Sequence, residues 1–262
     1  MSGVEGEPVG VEKVAAQRRA DVPAHGLLPS LRSILWVIVV GLFITAFTVQ
    51  PFRIPSSSME PTLLVGDFLM VDKQVGFADS SRLFAPAGEI RRGDVMIFRY
   101  PVDASMHLVK RVVGLPGDRL RMSGGKVYVN GVALTEPYAV YREAGENRYR
   151  DEFPMLESAD PGVDSRWWVE MRSLVAGGEL TVPAGRYFVL GDNRNDSEDS
   201  RYWGLVPRGA IVGRPLLVYF SLGGSGSMAG PAAVARASSQ RATPGEKLGG
   251  LVRWDRVFRR VN

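Results

Sequence analysis

The sequence predicts a mainly β protein, in which a single N-terminal transmembrane helix precedes a β-rich domain with a smaller inserted subdomain. Two observations support this fold class. One apolar stretch of bilayer length lies near the N-terminus, and from Pro51 onward short apolar or alternating runs are separated by Gly, Pro and Asp, with no long amphipathic helix evident. The chain, at 262 residues, has room for one large domain or two small ones.

The apolar stretch runs from Ile34 to Val49 and, with its edges, reaches about 20 residues, roughly the span of a bilayer core. It has no polar stripe, which a buried core helix would show, and no clear A-x-A-like site follows it, as one would after a cleaved signal peptide. Those two structures are the alternatives to a transmembrane helix, which we place at residues 31–50 behind a polar tail at residues 1–30.

Basic residues near the apolar stretch predict its orientation. Arg18, Arg19 and Arg32 precede it closely, and only Arg53 follows it closely. Because positive charge collects on the cytoplasmic side, we expect a cytoplasmic N-terminus and an extracytoplasmic domain. The chain would then be a single-pass protein of the inner (cytoplasmic) membrane.

The domain after the helix, residues 51–222, has strand signatures with turn residues between them. A candidate hairpin turn is Asn130-Gly131, and a more polar stretch at 135–180 predicts the insertion. The strand-like runs are DFLMVDK (67–73), DVMIFRY (94–100), HLVKRVVG (107–114), DRLRM (118–122), KVYVNGVAL (126–134), RYFVLG (186–191) and PLLVYF (215–220).

Two further segments end the chain. Residues 223–246 are rich in Gly, Ser, Ala and Pro and predict a flexible linker. The C-terminal segment, residues 247–262, mixes Trp254 and Phe258 with arginines. Such a segment either contacts anionic lipid or packs on the domain, and the sequence favours neither.

The composition excludes several kinds of site. The chain has no cysteine, which removes thiol nucleophiles, disulfides and thiolate metal sites. Its two histidines, His25 and His107, are too few for a histidine zinc site. A formal net charge of +4 favours anionic surfaces in general, without the interleaved aromatics of an RNA-binding surface. We therefore expect no nucleic-acid partner and no metal.

Three serines, Ser56, Ser57 and Ser58, lie just beyond the expected membrane exit in the segment IPSSSMEPTLLVGD (54–67). A serine run before a proline is by itself ordinary loop sequence. A serine hydroxyl becomes a useful nucleophile only beside a base. The segment is therefore a candidate site only if the chain also supplies that base.

The candidate base is Lys110, in HLVKRVVGLPGD (107–118). Strand alternation places Lys110 on the face of Leu108 and Val112, with Arg111 on the opposite face. Burial lowers the pKa of a lysine, and a neutral amine is a competent general base near pH 7. The alternative is a lysine whose stem covers apolar surface while its amine reaches water.

Other bases have weaker support. Lys73 and Lys126 stand beside turn residues, where exposure is expected, and His107 precedes Lys110 by three residues and so lies on the opposite strand face. The segment GDNRNDSEDSRYWG (191–204) is dense in hydrogen-bonding groups, but Ser197 stands where an EF-hand calcium loop starting at Asp192 needs glycine. It predicts instead a rigid polar turn that can orient a base.

Together these segments resemble the bacterial type I signal peptidases. Four motifs of that family are matched in order behind the apolar stretch, by PSSSMEPTL (55–63), GDVMIFRYP (93–101), HLVKRVVGLPGD (107–118) and GDNRNDSEDSRYWGLVP (191–207). The resemblance implies a β-rich catalytic core with a variable insertion. It also implies a membrane-bound serine endopeptidase that removes signal peptides from exported proteins after a small residue, at A-x-A type sites, and that needs no cofactor.

The resemblance also implies the roles of individual residues. Ser58 matches the nucleophile and Lys110 the general base. Ser56 matches the residue whose hydroxyl, together with the Ser58 backbone N–H, forms the oxyanion hole. The substrate would lie as an extended strand beside residues 107–110.

Further positions of the family's site are matched as well. Ser197 matches a residue that orients the lysine, and Asp199 with Arg201 matches a charged pair that shapes the site. Ser57 stands where some members carry glycine. The positions that match the lining of the substrate pockets are Ile54, Met59, Leu63, Leu108 and Val109.

Two other functions fit part of the sequence. A self-cleaving Ser-Lys protease of the repressor type would use the same pair of residues, but members of that class are soluble and carry a DNA-binding module. A membrane-tethered binding protein, or a degenerate homologue, would not need both Ser58 and Lys110.

Overall fold

The computed structural model describes residues 27–47, 49–73, 89–142, 145–223 and 252–261. Most of the predicted tail and almost all of the predicted linker lie outside these residues. By its internal contacts the chain divides into two compact units, Met1–Thr45 and Ala46–Asn262. Everything that concerns the candidate site belongs to the second unit.

The first unit contains most of helix α1 (Leu27–Phe47). Its side chains at positions 30–41 are exposed. Within the residues that the structure describes, no helix is both long and apolar enough to cross a membrane. The transmembrane helix at residues 31–50 stays a prediction.

The second unit is mainly β, as the sequence predicts, and its strands pair antiparallel in two sheets over the described residues. In chain order the strands are β1 (Val49–Arg53), β2 (Asp67–Asp72), β3 (Val95–Arg99), β4 (His107–Gly114), β5 (Arg119–Ser123), β6 (Lys126–Val129), β7 (Val132–Ala133), β8 (Val175–Ala176), β9 (Glu179–Thr181), β10 (Arg186–Leu190), β11 (Val206–Pro207) and β12 (Ile211–Ser221). The larger sheet has the order β1-β2-β12-β3-β4-β10-β11, and the smaller has the order β7-β6-β5-β9-β8.

The middle of the larger sheet has apolar side chains on both faces. Met96 and Phe98 of β3 belong to one buried cluster, and Val95 and Ile97 belong to another. Because successive side chains of a strand point to opposite faces, the two clusters lie on opposite sides of β3. The pairing of β3 with β4 sets Lys110 opposite Met96, so Lys110 lies on the face of the first cluster.

The predicted hairpin turn is confirmed. Asn130 and Gly131 connect β6 to β7 and have φ angles of 52° and 82°. Positive φ at both central residues is what a two-residue turn of type I′ requires, and Asn-Gly supplies it at low cost.

Three short α-helices lie in the second unit among the described residues: α2 (Arg148–Asp151), α3 (Ser165–Leu174) and α4 (Ser200–Trp203). Helix α3 begins after Asp164, whose carboxylate accepts hydrogen bonds from two backbone N–H groups of its first turn. It buries Trp167 and Met171, four residues apart on one face. This amphipathic helix lies in the polar stretch at 135–180. It has only about three turns, which is too short to give a long amphipathic pattern in the sequence.

Candidate active site

Lys110 lies in β4, and its side chain is only 3% exposed. Its neighbours on the same face, Leu108 and Val112, pack in the cluster that contains Met96. Burial lowers the pKa of Lys110 to about 8, although the Asp199 carboxylate opposes that shift by favouring the ammonium form. The strand pattern therefore predicts the burial of this amine correctly, and a neutral fraction exists at mildly alkaline pH.

A chain of hydrogen bonds orients the lysine. Lys110 Nζ donates to Ser197 Oγ at 3.1 Å, and Ser197 Oγ donates to Asp199 Oδ2 at 2.8 Å. Asp199 in turn accepts from Arg201 Nε and Arg201 Nη2, each at 2.8 Å. These contacts hold the amine of Lys110 in one direction and connect it to a buried ion pair.

The ion pair of Asp199 and Arg201 is almost fully enclosed, with 0% and 1% of the two side chains exposed. Burial by itself raises the pKa of Asp199. The Arg201 guanidinium, the Lys110 amine and the Gly191 backbone N–H outweigh that effect and hold the pKa below its ordinary value. Asp199 is therefore a carboxylate at neutral pH, and the charge of Arg201 compensates it.

The three serines lie in a loop that connects β1 to β2, which we call the serine loop (residues 54–67). Its base is closed by two backbone hydrogen bonds, from Ile54 N to Asp67 O at 2.8 Å and from Gly66 N to Ile54 O at 2.9 Å. The side chains of Ile54, Met59 and Leu63 are buried in the apolar cluster on the second face of β3. These anchors are why a segment with two prolines and three serines takes a defined shape.

Ser58 is 8% exposed, and its Oγ lies 3.4 Å from Ser56 Oγ. Its carbonyl accepts a hydrogen bond from Asn193 N at 3.1 Å. The preceding carbonyl, of Ser57, accepts from Glu60 N at 3.0 Å and from Asn193 Nδ2 at 3.4 Å. Because the peptide unit is planar, fixing the Ser57 carbonyl also fixes the direction of the Ser58 N–H.

Gly191 is the point where the serine and the lysine sides of the site meet. A Cβ on Gly191 would collide with Ser197 Oγ and would lie 2.5 Å from the Ser58 carbonyl oxygen. The Ser58 carbonyl and Ser197, the residue that binds Lys110, therefore both lie in the space that a side chain at Gly191 would occupy. In this arrangement the hydrogen bonds of Lys110 and Ser58 run to Ser197 and Ser56 rather than between the two.

A second connection joins the two sides through Arg111, the neighbour of Lys110 in β4. Arg111 binds Asp192 with two hydrogen bonds, of 2.8 and 2.7 Å, and both side chains are buried. Asp192 also accepts from Thr62 Oγ1 of the serine loop at 2.6 Å. The guanidinium carbon of Arg111 stacks 3.9 Å from the ring centre of Tyr138. The face of β4 opposite Lys110 thus holds the serine loop in place.

The other predicted positions differ in their exposure. Leu108 and Val109 are half-buried beside Lys110, whereas Ile54, Met59 and Leu63 are at most 2% exposed and contribute to the core. Their roles in binding substrate stay predictions.

Among the alternative bases, Lys73 is half-buried and Lys126 is exposed. His107 is exposed, and its ring packs against Phe52 with the centroids 5.5 Å apart. The lysine that donates to Ser197 Oγ is Lys110. Lys13, Lys247 and His25 lie outside the described residues.

Sequence reasoning did not single out Asn193, Gly191, Thr62 or the pair of Arg111 and Asp192. The density of polar groups at 191–204 was a signal for Asn193 and Asp192. No local pattern indicates which carbonyl Asn193 holds or that Arg111 binds Asp192, because those partners come from distant parts of the chain.

Comparisons with known proteins place the chain among the signal peptidases. A family model described as "Signal peptidase, peptidase S26" matches residues 27–220. A signal peptidase I from Pseudomonas aeruginosa is 40% identical over 211 residues, which cover 72% of this chain and 71% of the relative. A probable signal peptidase I-2 from Synechocystis is 32% identical, with 80% and 81% of the two chains covered. A crystal structure of a signal peptidase I from Enterococcus faecalis is 34% identical, covers 48% of this chain and 97% of its own, and has a TM-score of 0.35.

Proposed function

We propose that Ser58 and Lys110 carry out the reaction of this chain, which belongs to the signal peptidase family, peptidase S26, and is a serine protease of the type I signal peptidases. The substrate is the signal peptide of an exported preprotein, cut after a small residue of an A-x-A type site. The observation that carries the assignment is the buried amine of Lys110, whose pKa is lowered to about 8. Ser197, which binds this amine, and the carbonyl of Ser58 both lie against Gly191.

In the acylation step, Ser58 Oγ attacks the scissile carbonyl carbon and its proton passes to the neutral amine of Lys110. The carbon–nitrogen bond then breaks, and Lys110 returns the proton to the leaving amine. Ser58 Oγ has to turn from Ser56 toward Lys110 for this step. Catalytic hydrogen bonds are often long in a free enzyme and tighten when the substrate binds.

The oxyanion that develops on the carbonyl is held by the Ser56 hydroxyl and the Ser58 backbone N–H. Asn193 supports this arrangement because it binds the carbonyl on each side of that N–H, at Ser57 and at Ser58 itself. Donors that are fixed before the reaction stabilise the transition state more than donors that must reorient. In deacylation, Lys110 takes a proton from a water molecule as the water oxygen attacks the acyl carbon. The bond between that carbon and Ser58 Oγ then breaks, Lys110 gives the proton to Ser58 Oγ, and the product leaves with a new carboxyl group.

The substrate adds as an extended strand beside residues 107–110, where Leu108 and Val109 present partly exposed apolar surface. Ile54, Met59 and Leu63 belong to the buried cluster against which Val109 packs. Pockets bounded by such residues favour alanine at the two small positions of the A-x-A site.

The catalytic unit acts from the outer face of the cytoplasmic membrane, held by the apolar stretch at 31–50. This stretch and the arginines before it are the support for the anchor and its orientation. The absence of native cysteine allows a direct test with single cysteines at Arg18 and Lys126 in intact spheroplasts. A membrane-impermeant maleimide should label the Lys126→Cys variant and not the Arg18→Cys variant. Labelling of the Arg18→Cys variant alone would show that the protein has the opposite orientation in the membrane.

The test of the chemistry is cleavage of a preprotein with an A-x-A site by detergent-solubilised wild type, Ser58→Ala and Lys110→Ala. We expect the wild type to cut after the second alanine. Each variant should lose at least about 10³-fold in kcat/KM, because removal of a nucleophile or its base leaves only binding and oxyanion stabilisation. Product masses locate the cut, and thermal melting shows whether each variant is folded.

Lys126→Ala is the matched control, since it removes an exposed lysine of the smaller sheet and should leave cleavage unchanged. Full activity of Lys110→Ala would exclude Lys110 as the base and return attention to Lys73 and His107. A folded wild type that cuts no preprotein would identify the chain as a degenerate homologue.

A further inference from the structure

The C-terminal segment returns to the body of the second unit along β12. Phe258 N donates to Val218 O at 2.7 Å, and Val218 N donates to Arg259 O at 2.9 Å. Between these bonds and the start of the segment lies a short 3₁₀ turn, Trp254–Arg256. The turn directs Arg256 inward, where 3% of it is exposed, while Trp254 and Phe258 face outward at 67% and 75%.

Arg256 forms an ion pair with Asp67, the last residue of the serine loop. Its Nη2 lies 2.5 Å from Asp67 Oδ2, and its Nε lies 3.0 Å from Asp67 Oδ1. Asp67 is 0% exposed. Burial raises the pKa of Asp67, but the hydrogen bonds of Arg256, Leu64 and Ser221 outweigh it and hold the pKa below its ordinary value. The pair is therefore charged at neutral pH.

The same two residues hold the backbone of the serine loop. Arg256 Nη2 donates to the Thr62 carbonyl at 3.0 Å, and Asp67 Oδ2 accepts from Leu64 N at 2.9 Å. Arg253, in the same segment, donates to the Val65 carbonyl at 2.6 Å. The half of the loop that follows the serines is thus fixed by side chains from the other end of the chain.

The held half is directly connected to the serines. Leu63 N bonds Met59 O at 2.9 Å, which closes a turn immediately after Ser58. Thr62, whose carbonyl Arg256 binds, also gives its hydroxyl to Asp192, so it is held from two sides. A displacement of this half moves Ser58 relative to Lys110, which is fixed in β4.

We propose that Arg256 is a positioning residue for the reaction, which acts by holding the serine loop through Asp67 and the Thr62 carbonyl. The proposal rests on the role of Ser58 proposed above. It assigns a role in catalysis to the C-terminal segment, for which the sequence alone allowed either contact with anionic lipid or packing on the domain. A shift of a nucleophile by about 1 Å can cost about 100-fold in rate, so the loss of such a contact is measurable even in a folded enzyme.

The experiment is a double-mutant cycle in the full-length, detergent-solubilised chain with Arg256→Gln, Asp67→Asn and both together. Each single variant should lower kcat by about 10- to 100-fold while KM changes by less than about twofold, because the loop and not the substrate surface has moved. The loss in the double variant should be smaller than the product of the two single losses, since the two residues share one ion pair although each also holds a backbone group of its own. The acid limb of kcat/KM should stay near pH 8, because Lys110 is not touched.

Hydrogen exchange gives a readout that does not depend on activity. In Arg256→Gln the amides of residues 58–64 should exchange faster, while those of β4 keep their protection. Arg260→Gln is the matched control, because it removes an exposed arginine of the same segment and should leave both kcat and exchange unchanged.

A folded Arg256→Gln enzyme with wild-type kcat and unchanged exchange in the serine loop would overturn the proposal, and so would multiplicative effects in the cycle. If Arg256→Gln does not fold, Arg256→Lys decides: it keeps the charge but has no second donor for the Thr62 carbonyl. A loss of kcat with KM preserved supports the proposal, and a wild-type kcat contradicts it. If the wild type cleaves nothing, the proposed function fails, and the exchange data still decide whether Arg256 holds the loop.

Discussion

The lysine and the serine of the candidate site are held in different ways. Lys110 is in a strand at the middle of a sheet, where the pleat and the pairing with β3 fix its side chain against Met96. Ser58 is in a loop, and the groups that hold it come from elsewhere in the chain: Asn193 and Asp192 from one segment, Arg256 from the C-terminal one. A strand fixes a side chain by its own geometry, whereas a loop needs external contacts to be equally rigid.

Because Lys110 is held by a strand and Ser58 by contacts to a loop, we expect substitutions on the two sides of the site to impair catalysis in different ways. Changes around Lys110 should alter its proton affinity, because the amine is fixed in place and only its electrostatic surroundings can vary. Changes around Ser58 should alter the rate without altering the pH dependence, because a serine hydroxyl does not titrate in this range. Gly191 belongs to both sides, and its substitution should break both.

The largest effect in this comparison is expected from Gly191→Ala. The new methyl group would collide with Ser197 Oγ and with the Ser58 carbonyl, so the two halves of the site must move apart. We expect kcat/KM to fall by about 100-fold or more, as for a misplacement of about 1 Å. Steady-state cleavage of an A-x-A peptide measures it.

Gly209→Ala is a suitable control, because nothing lies within 4 Å of a Cβ at that position. A Gly191→Ala enzyme with more than half of the wild-type kcat/KM would show that Ser58 and Ser197 do not need this close approach. Gly191 would then not be the point at which the lysine and serine sides of the site meet.

A smaller and graded effect is expected from pH. Because burial lowers the pKa of Lys110 to about 8, the neutral amine that the proposed mechanism needs dominates above that pH and the ammonium form dominates below it. The value of kcat/KM should therefore fall as pH decreases through about 8, by about tenfold for each further unit. Circular dichroism at each pH separates this loss from unfolding.

The pH profile also distinguishes the lysine side of the site from the serine side. Ser56→Ala alters only the serine side and should lower the whole profile while its midpoint stays the same. A wild-type profile that is flat between pH 6 and 9 would contradict a titrating lysine base. A shift of the pH midpoint in Ser56→Ala would show that the serine side affects the pKa of Lys110.

Parts of this structure follow from local sequence. The alternation in HLVKRVVG places Lys110 and Arg111 on opposite faces, and the structure confirms this, with Lys110 in an apolar cluster and Arg111 bound to Asp192. The Asn130-Gly131 hairpin is equally local, since a two-residue turn depends on its own φ angles. The helix Ser165–Leu174 was not evident because it is short and lies in a polar segment.

The sequence by itself determined that the domain is mainly β, that Lys110 shares a face with apolar residues, and that serines stand in a separate loop. Strand periodicity and turn residues are local patterns, so they can be recognised in a single sequence without knowledge of the fold. Only the tertiary structure decided which groups fix those residues. Arg256 and Asp67 are 189 positions apart, and Asn193 and Ser57 are 136 apart. Such contacts depend on the path of the whole backbone, which no local pattern specifies.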